Sequence, residues 1–127
     1  MKRSHPEDEI QKAVADHIRM RGMPGLVSWH VPNGAKLGGK LNRKGIPIQA
    51  ARLKGLGVRA GVSDWILVHA GKIFALELKP PGGGPSEAQL KFLADMEAAG
   101  AFVCVAVGLD RALAVLEQWG LLRGQTQ

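Results

Sequence analysis

The chain has 127 residues, 46% of them apolar and 22% charged, and a formal net charge of +6. That is the balance of a soluble globular protein and enough length for one domain, 1–127, with a real hydrophobic core. A lone cysteine, Cys104, excludes an internal disulfide and a zinc-finger ligand set. No run is long and apolar enough for a transmembrane helix, and "MKRSHPEDEIQ" lacks the apolar centre of a signal peptide, so a cytoplasmic protein away from membranes is expected.

Residues 6–22 read as a helix with Ile10, Val14 and Ile18 on one apolar stripe. Ser4 is placed to cap it, Glu7 to complete a capping box, Pro6 lies in its first turn, and Gly22 and Pro24 end it. "LVSWHV" (26–31) follows as a strand, and "PNGAKLGGKLNRKGIP" (32–47) as a long loop of the kind that usually carries function or stays disordered. A short helix over 48–57 carries Arg52 and Lys54. A β-hairpin spans 64–79, and "PPGGGP" interrupts the chain. A helix then begins at the Ser86 cap, with Gln89 completing its capping box and Gly100 as its stop. "AFVCVAV" (101–107) is an apolar strand with Cys104 as a small core residue, and Asp110 is placed to cap a last helix ending near Trp119. Trp65, Trp119 and the "WGLL" leucines suit either the core or an interface between copies.

A strand, a helix and a strand in succession over 72–107 make a βαβ unit whose two strands are parallel neighbours. The expected architecture is therefore α/β, a mixed sheet of about four strands flanked by helices, in the order α-β-(α)-β-β-α-β-α.

Charge distribution says more than net charge. No acidic residue occurs between Asp16 and Asp64, an interval holding Arg19, Arg21, Lys36, Lys40, Arg43, Lys44, Arg52, Lys54 and Arg59. Cations without counter-charges suit a polyanion such as nucleic acid; a solvated, solubilising surface is the plainer alternative.

The hairpin poses the sharper question. With its turn at Ala70-Gly71, His69 faces Lys72, Ile66 faces Ala75 and Asp64 faces Glu77, while Lys79 shares the face of Glu77. A three-residue loop would shift this pairing by one. Two facing carboxylates in partly buried surroundings repel each other. A divalent cation between them removes the objection, because Mg²⁺ and Mn²⁺ take hard oxygen ligands. The plainer alternative is a wet hairpin end where Lys79 pairs with one of the acids.

"GVSD" followed after twelve residues by "ELK" resembles the Asp…Glu-x-Lys signature of the PD-(D/E)XK nuclease superfamily. Within it the chain is similar to the VRR-NUC (virus-type replication-repair nuclease) domain of the small stand-alone type found in phages and bacteria. "EDEIQKAV", "WHVPNG", "GVRAGVSDWIL" and "ELKPPGG…SEAQ" match its blocks in order. E-x-K alone is a weak motif; the ordered blocks are specific, and they span nearly the whole chain.

The resemblance implies a restriction-endonuclease-like core and a metal site made by Asp64, Glu77 and the Leu78 backbone carbonyl. Lys79 would orient or activate the attacking water. Family members also use an acid on the first helix, for which Glu7, on the core-facing stripe, is preferred to Glu9. Gln89 can look toward the sheet or simply cap its helix. His30 and Asn33 would position DNA or the loop, and either Lys36 or Lys40 matches the family's basic residue. Ser63 stands where the motif has proline.

The implied protein is a Mg²⁺-dependent (or Mn²⁺-dependent) endonuclease of DNA repair. It would cut branched DNA such as a four-way (Holliday) junction as a homodimer, without a small-molecule cofactor. Its rivals are a nucleic-acid-binding module with a vestigial site, and a ribonuclease or restriction-type enzyme of the same fold.

Overall fold

The stripe formed by Ile10, Val14 and Ile18 winds into a helix, α1 (Pro6–Arg21), on which Val14 is fully buried. The chain is represented by a computed structural model that describes residues 6–32 and 48–124. The expected Ser4 cap and all of the glycine-rich loop after Pro32, with Asn33, Lys36, Lys40, Arg43 and Lys44, lie outside the described residues. After α1 come β1 (Val27–His30), α2 (Ile48–Gly55), β2 (Trp65–His69), β3 (Lys72–Lys79), α3 (Glu87–Ala98), β4 (Phe102–Val107) and α4 (Leu109–Gln118). The expected element order is observed, and the four strands form one mixed sheet ordered β1-β2-β3-β4.

The hairpin turns where the sequence places it. Ala70 (φ 51) and Gly71 (φ 79) both adopt positive φ, the requirement of the two-residue type I′ turn whose twist matches the flanking strands. Pairing then runs from His69↔Lys72 to Trp65↔Leu76, the expected register. β1 joins β2 antiparallel, ending at His30↔Trp65. β4 lies parallel to β3, with Glu77↔Val105 and Lys79↔Val107. Parallel neighbours need a crossover, and α3 supplies it.

Alternation along the strands gives the sheet two apolar faces. On one, Trp65, Leu67, Phe74, Leu76, Leu78 and Ala106 pack against Val14 of α1 and Ala112, Val115 and Leu116 of α4. On the other, Ile66 and Ala75 meet Phe92 and Leu93 of α3. Each such large side chain contributes about 1.5–3 kcal/mol on burial. Trp65, Leu121 and Leu122 are buried, and Trp119 lies 5.1 Å from the Phe74 ring. The core therefore takes the residues that also suited an interface. Cys104 packs partly buried against the same cluster, as expected.

The start of α4 corrects one expectation. The N-cap is Gly108 at φ 83, with no side-chain cap, and Asp110 sits in the first turn. The Gly108 N–H still donates to Lys79 (2.9 Å) in continuation of the β4 pairing, while its carbonyl accepts from Ala112 (3.2 Å) to open the helix. One residue thus serves strand and helix together, and the abrupt bend needs positive φ, which glycine adopts freely. The Asp110 carboxylate instead favours the positive end of the helix dipole.

Candidate active site

The candidate site residues collect at the end of the sheet where β2 begins and β3 finishes. Asp64 is one residue outside the antiparallel ladder and is 7% exposed. Its Oδ2 accepts the Leu78 N–H at 2.7 Å, so the carboxylate reaches across to the neighbouring strand. Its main-chain carbonyl is held as well, by the Val31 N–H at 2.7 Å and by His30 Nδ1 at 2.9 Å. A carbonyl can only accept, so Nδ1 carries the proton in that contact. Ser63, in the motif's proline position, is fully buried and donates its hydroxyl to the Trp65 carbonyl at 3.2 Å. It takes no place in the cavity.

Glu77 is 1% exposed. Its Oε1 accepts from Gln89 Nε2 at 3.1 Å and lies 3.6 Å from Lys79 Nζ. Its Oε2 is buried with no hydrogen-bond partner among the described residues. Burial first, and then the Asp64 carboxyl beside it, raise the Glu77 pKa to about 8; Lys79 pulls the other way without prevailing. At neutral pH, with no other cation near, the Asp64–Glu77 pair therefore tends to hold a proton.

Helix starts bring in the remaining groups. Glu7 lies in the first turn of α1, exposed rather than core-facing, where the stripe of Ile10 and Val14 continues to the cavity. Gln89 lies at the third position of α3. Ser86 Oγ accepts from the Gln89 N–H at 3.2 Å, and Gln89 Oε1 accepts from the Ser86 N–H at 2.8 Å. The capping box and the contact with Glu77 use opposite ends of one amide, so both readings of Gln89 hold. Gly61 lets the segment leading to Asp64 lie against this helix start: it sits at φ +81, and a Cβ there would come 2.4 Å from the Ala88 carbonyl.

Glu7, Gln11, Asp64, Glu77, Leu78, Lys79 and Gln89 line one cavity of about 190 Å³, several times the ~30 Å³ share of a water molecule. Among the described residues no group of three or more His, Cys, Asp or Glu side chains is arranged to hold a metal. The donors present are the Asp64–Glu77 pair and the Leu78 carbonyl. In a strand the N–H and C=O of one residue leave on the same side, so that carbonyl faces the Asp64 side as its N–H does. All are hard oxygen donors, and Glu77 Oε2 is buried beside the Asp64 carboxyl with no hydrogen-bond partner among the described residues. The set fits a Mg²⁺-like or Mn²⁺-like cation.

The structure thus brings together Glu7, Asp64, Glu77, Leu78, Lys79 and Gln89. His30 stands behind the site, its ring 5.5 Å from that of Trp65. Arg52 and Lys54 are exposed on α2 and are not among the residues that line the cavity. Arg59 pairs with Asp95 at 2.6 Å, and its guanidinium lies 5.2 Å from the Phe92 ring centre. Gln11 was missed in the sequence, although it follows Glu7 by four residues and therefore shares its helical face.

No protein-family model and no curated protein sequence matches the chain. A solved structure described as a "VRR_NUC domain protein" superposes with a TM-score of 0.70 at 22% identity, covering 93% of this chain and 90% of that one. The chain shares its fold, a mixed four-stranded sheet flanked by helices of the restriction-endonuclease-like α/β kind.

Proposed function

We propose that the protein is a metal-dependent DNA endonuclease that hydrolyses phosphodiester bonds in branched DNA, four-way junctions foremost, as a homodimer. One observation carries this reading: two buried carboxyl groups share a cavity with a lysine amine, and one of their oxygens has no hydrogen-bond partner among the described residues. A cation there would lower the pKa of a bound water and offset charge on the scissile phosphate. Asp64 and Glu77 hold their positions through Leu78 and Gln89. Lys79, 3.6 Å from Glu77, would orient the attacking water and balance the charge that builds on the phosphate. Glu7, which lines the same cavity, would serve as the first-helix acid of the site. The VRR_NUC-domain fold supports a nuclease reading, and the acid-free interval from His17 to Ser63 supports a nucleic-acid partner. Symmetric cleavage of a junction calls for two sites, which two copies of the chain would supply.

The test is cleavage of a panel comprising four-way junction, duplex, flap and RNA, with Mg²⁺ or Mn²⁺ and with chelator. Junction DNA is expected to be cut fastest, with activity lost under chelation and reduced at least about a hundredfold by Asp64→Asn. RNA cut in preference to every DNA would replace the substrate assignment. Binding without cleavage under all metals would leave only a binding module.

A further inference from the structure

Two glutamines line the cavity, one from each flanking helix, and their amides are oriented by the same device. The carbonyl oxygen of Gln89 accepts from the Ser86 N–H at 2.8 Å. The carbonyl oxygen of Gln11 accepts from the Trp65 indole N–H at 2.7 Å. Both partners can only donate, so in each case the oxygen is committed and the NH₂ end is turned elsewhere. For Gln89 that end meets Glu77 Oε1 at 3.1 Å. For Gln11 it meets no hydrogen-bond acceptor among the described residues, on a side chain that lines the cavity with Asp64, Glu77 and Lys79. Trp65 is itself locked, 6% exposed in the core, so the amide cannot flip without stranding a buried indole N–H.

Besides the two glutamines, the cavity holds several oxygen acceptors and one cationic donor group, Lys79, which is paired with Glu77. A neutral amide with fixed NH₂ orientation cannot serve as a cation ligand through its nitrogen. It can donate two hydrogen bonds to an anionic oxygen.

We infer that Gln11 binds a non-bridging oxygen of the scissile phosphodiester, with Trp65 as the positioning residue that fixes its amide. The inference rests on the nuclease reading and adds a substrate contact to it.

Gln11→Met and Gln11→Glu separate this role from a structural one. Gln11→Met is neutral and of similar length but has no donor; Gln11→Glu keeps a strong acceptor for Trp65 and replaces the donor by an anionic oxygen. Affinity for four-way junction DNA is read by fluorescence anisotropy with Ca²⁺, cleavage with Mg²⁺, and folding by thermal melting. Loss of a charge-assisted hydrogen bond weakens binding and cleavage about tenfold or more in the methionine variant, and the glutamate variant is worse still. If Gln11 serves only as an acceptor for Trp65, the order reverses: glutamate behaves like wild type and methionine is the damaged, less stable protein. That order, or a methionine variant within about twofold of wild type, overturns the inference while leaving the nuclease reading intact. Wild-type protein that neither binds nor cuts any DNA removes both.

Discussion

The two ends of the β2–β3 hairpin follow opposite rules. At the turn, Ala70 and Gly71 take the φ values a tight hairpin needs, and the strands leave it with Lys72 and Ile73 exposed and Phe74 buried. At the far end, Glu77 and Asp64 occupy interior positions that Val or Thr would fill more stably, and one carboxyl oxygen has no hydrogen-bond partner among the described residues. The same ladder thus obeys packing rules at one end and breaks them at the other. A local violation held in place by a consistent fold is where function is expected.

The contrast is broken most severely in the shared core. Leu67 is fully buried, and Leu67→Ala should cost about 2–5 kcal/mol in chemical denaturation, with no rescue by metal ions. Substitution at the acidic end should do the reverse. Glu77 titrates near 8 in the folded protein against an ordinary 4.5, so between these values the native state holds a proton that the unfolded chain has released. Metal-free stability should therefore fall as pH rises from about 4.5 to about 8 and level off above it. Glu77→Gln should flatten that slope and stabilise the metal-free protein at pH 8.5, by an amount on the order of a few kcal/mol, while abolishing cleavage. Equal slopes in wild type and variant would contradict the assignment of the buried proton.

Smaller effects sharpen the comparison. Gly61→Ala forces a Cβ into the Ala88 carbonyl at positive φ and should cost about 1–3 kcal/mol by melting, with a further loss of activity as Gln89 shifts. Ser86→Ala removes the α3 cap and should cost about 1 kcal/mol. At the turn, Ala70→Asn should stabilise by a few tenths of a kcal/mol up to about 1, with activity unchanged, because asparagine tolerates positive φ better than alanine.

Much of this was legible in the sequence because the informative features were local. The turn dipeptide fixed the hairpin register, and the register put Asp64 beside Glu77. Gln89 was readable as a cap and as a sheet-facing residue, and it is both. What escaped depended on contacts distant in sequence. Arg59 looked like one cation among many until Asp95 and Phe92 of α3 claimed it. Gln11 gained meaning only through the Trp65 indole, which no periodicity reveals. Asp110 lost its capping role because Gly108 serves strand and helix at once, a matter of backbone geometry rather than side-chain preference.

The central claim is that Asp64 and Glu77 form a cation site. Titration of metal-free protein with Mn²⁺, followed by electron paramagnetic resonance and by melting temperature, tests it directly. Saturable binding with a rise in melting temperature is expected for wild type, and loss of both in Asp64→Asn and in Glu77→Gln. Binding that is unchanged in the Asp64→Asn, Glu77→Gln double variant, or absent from a folded wild-type protein, would contradict it.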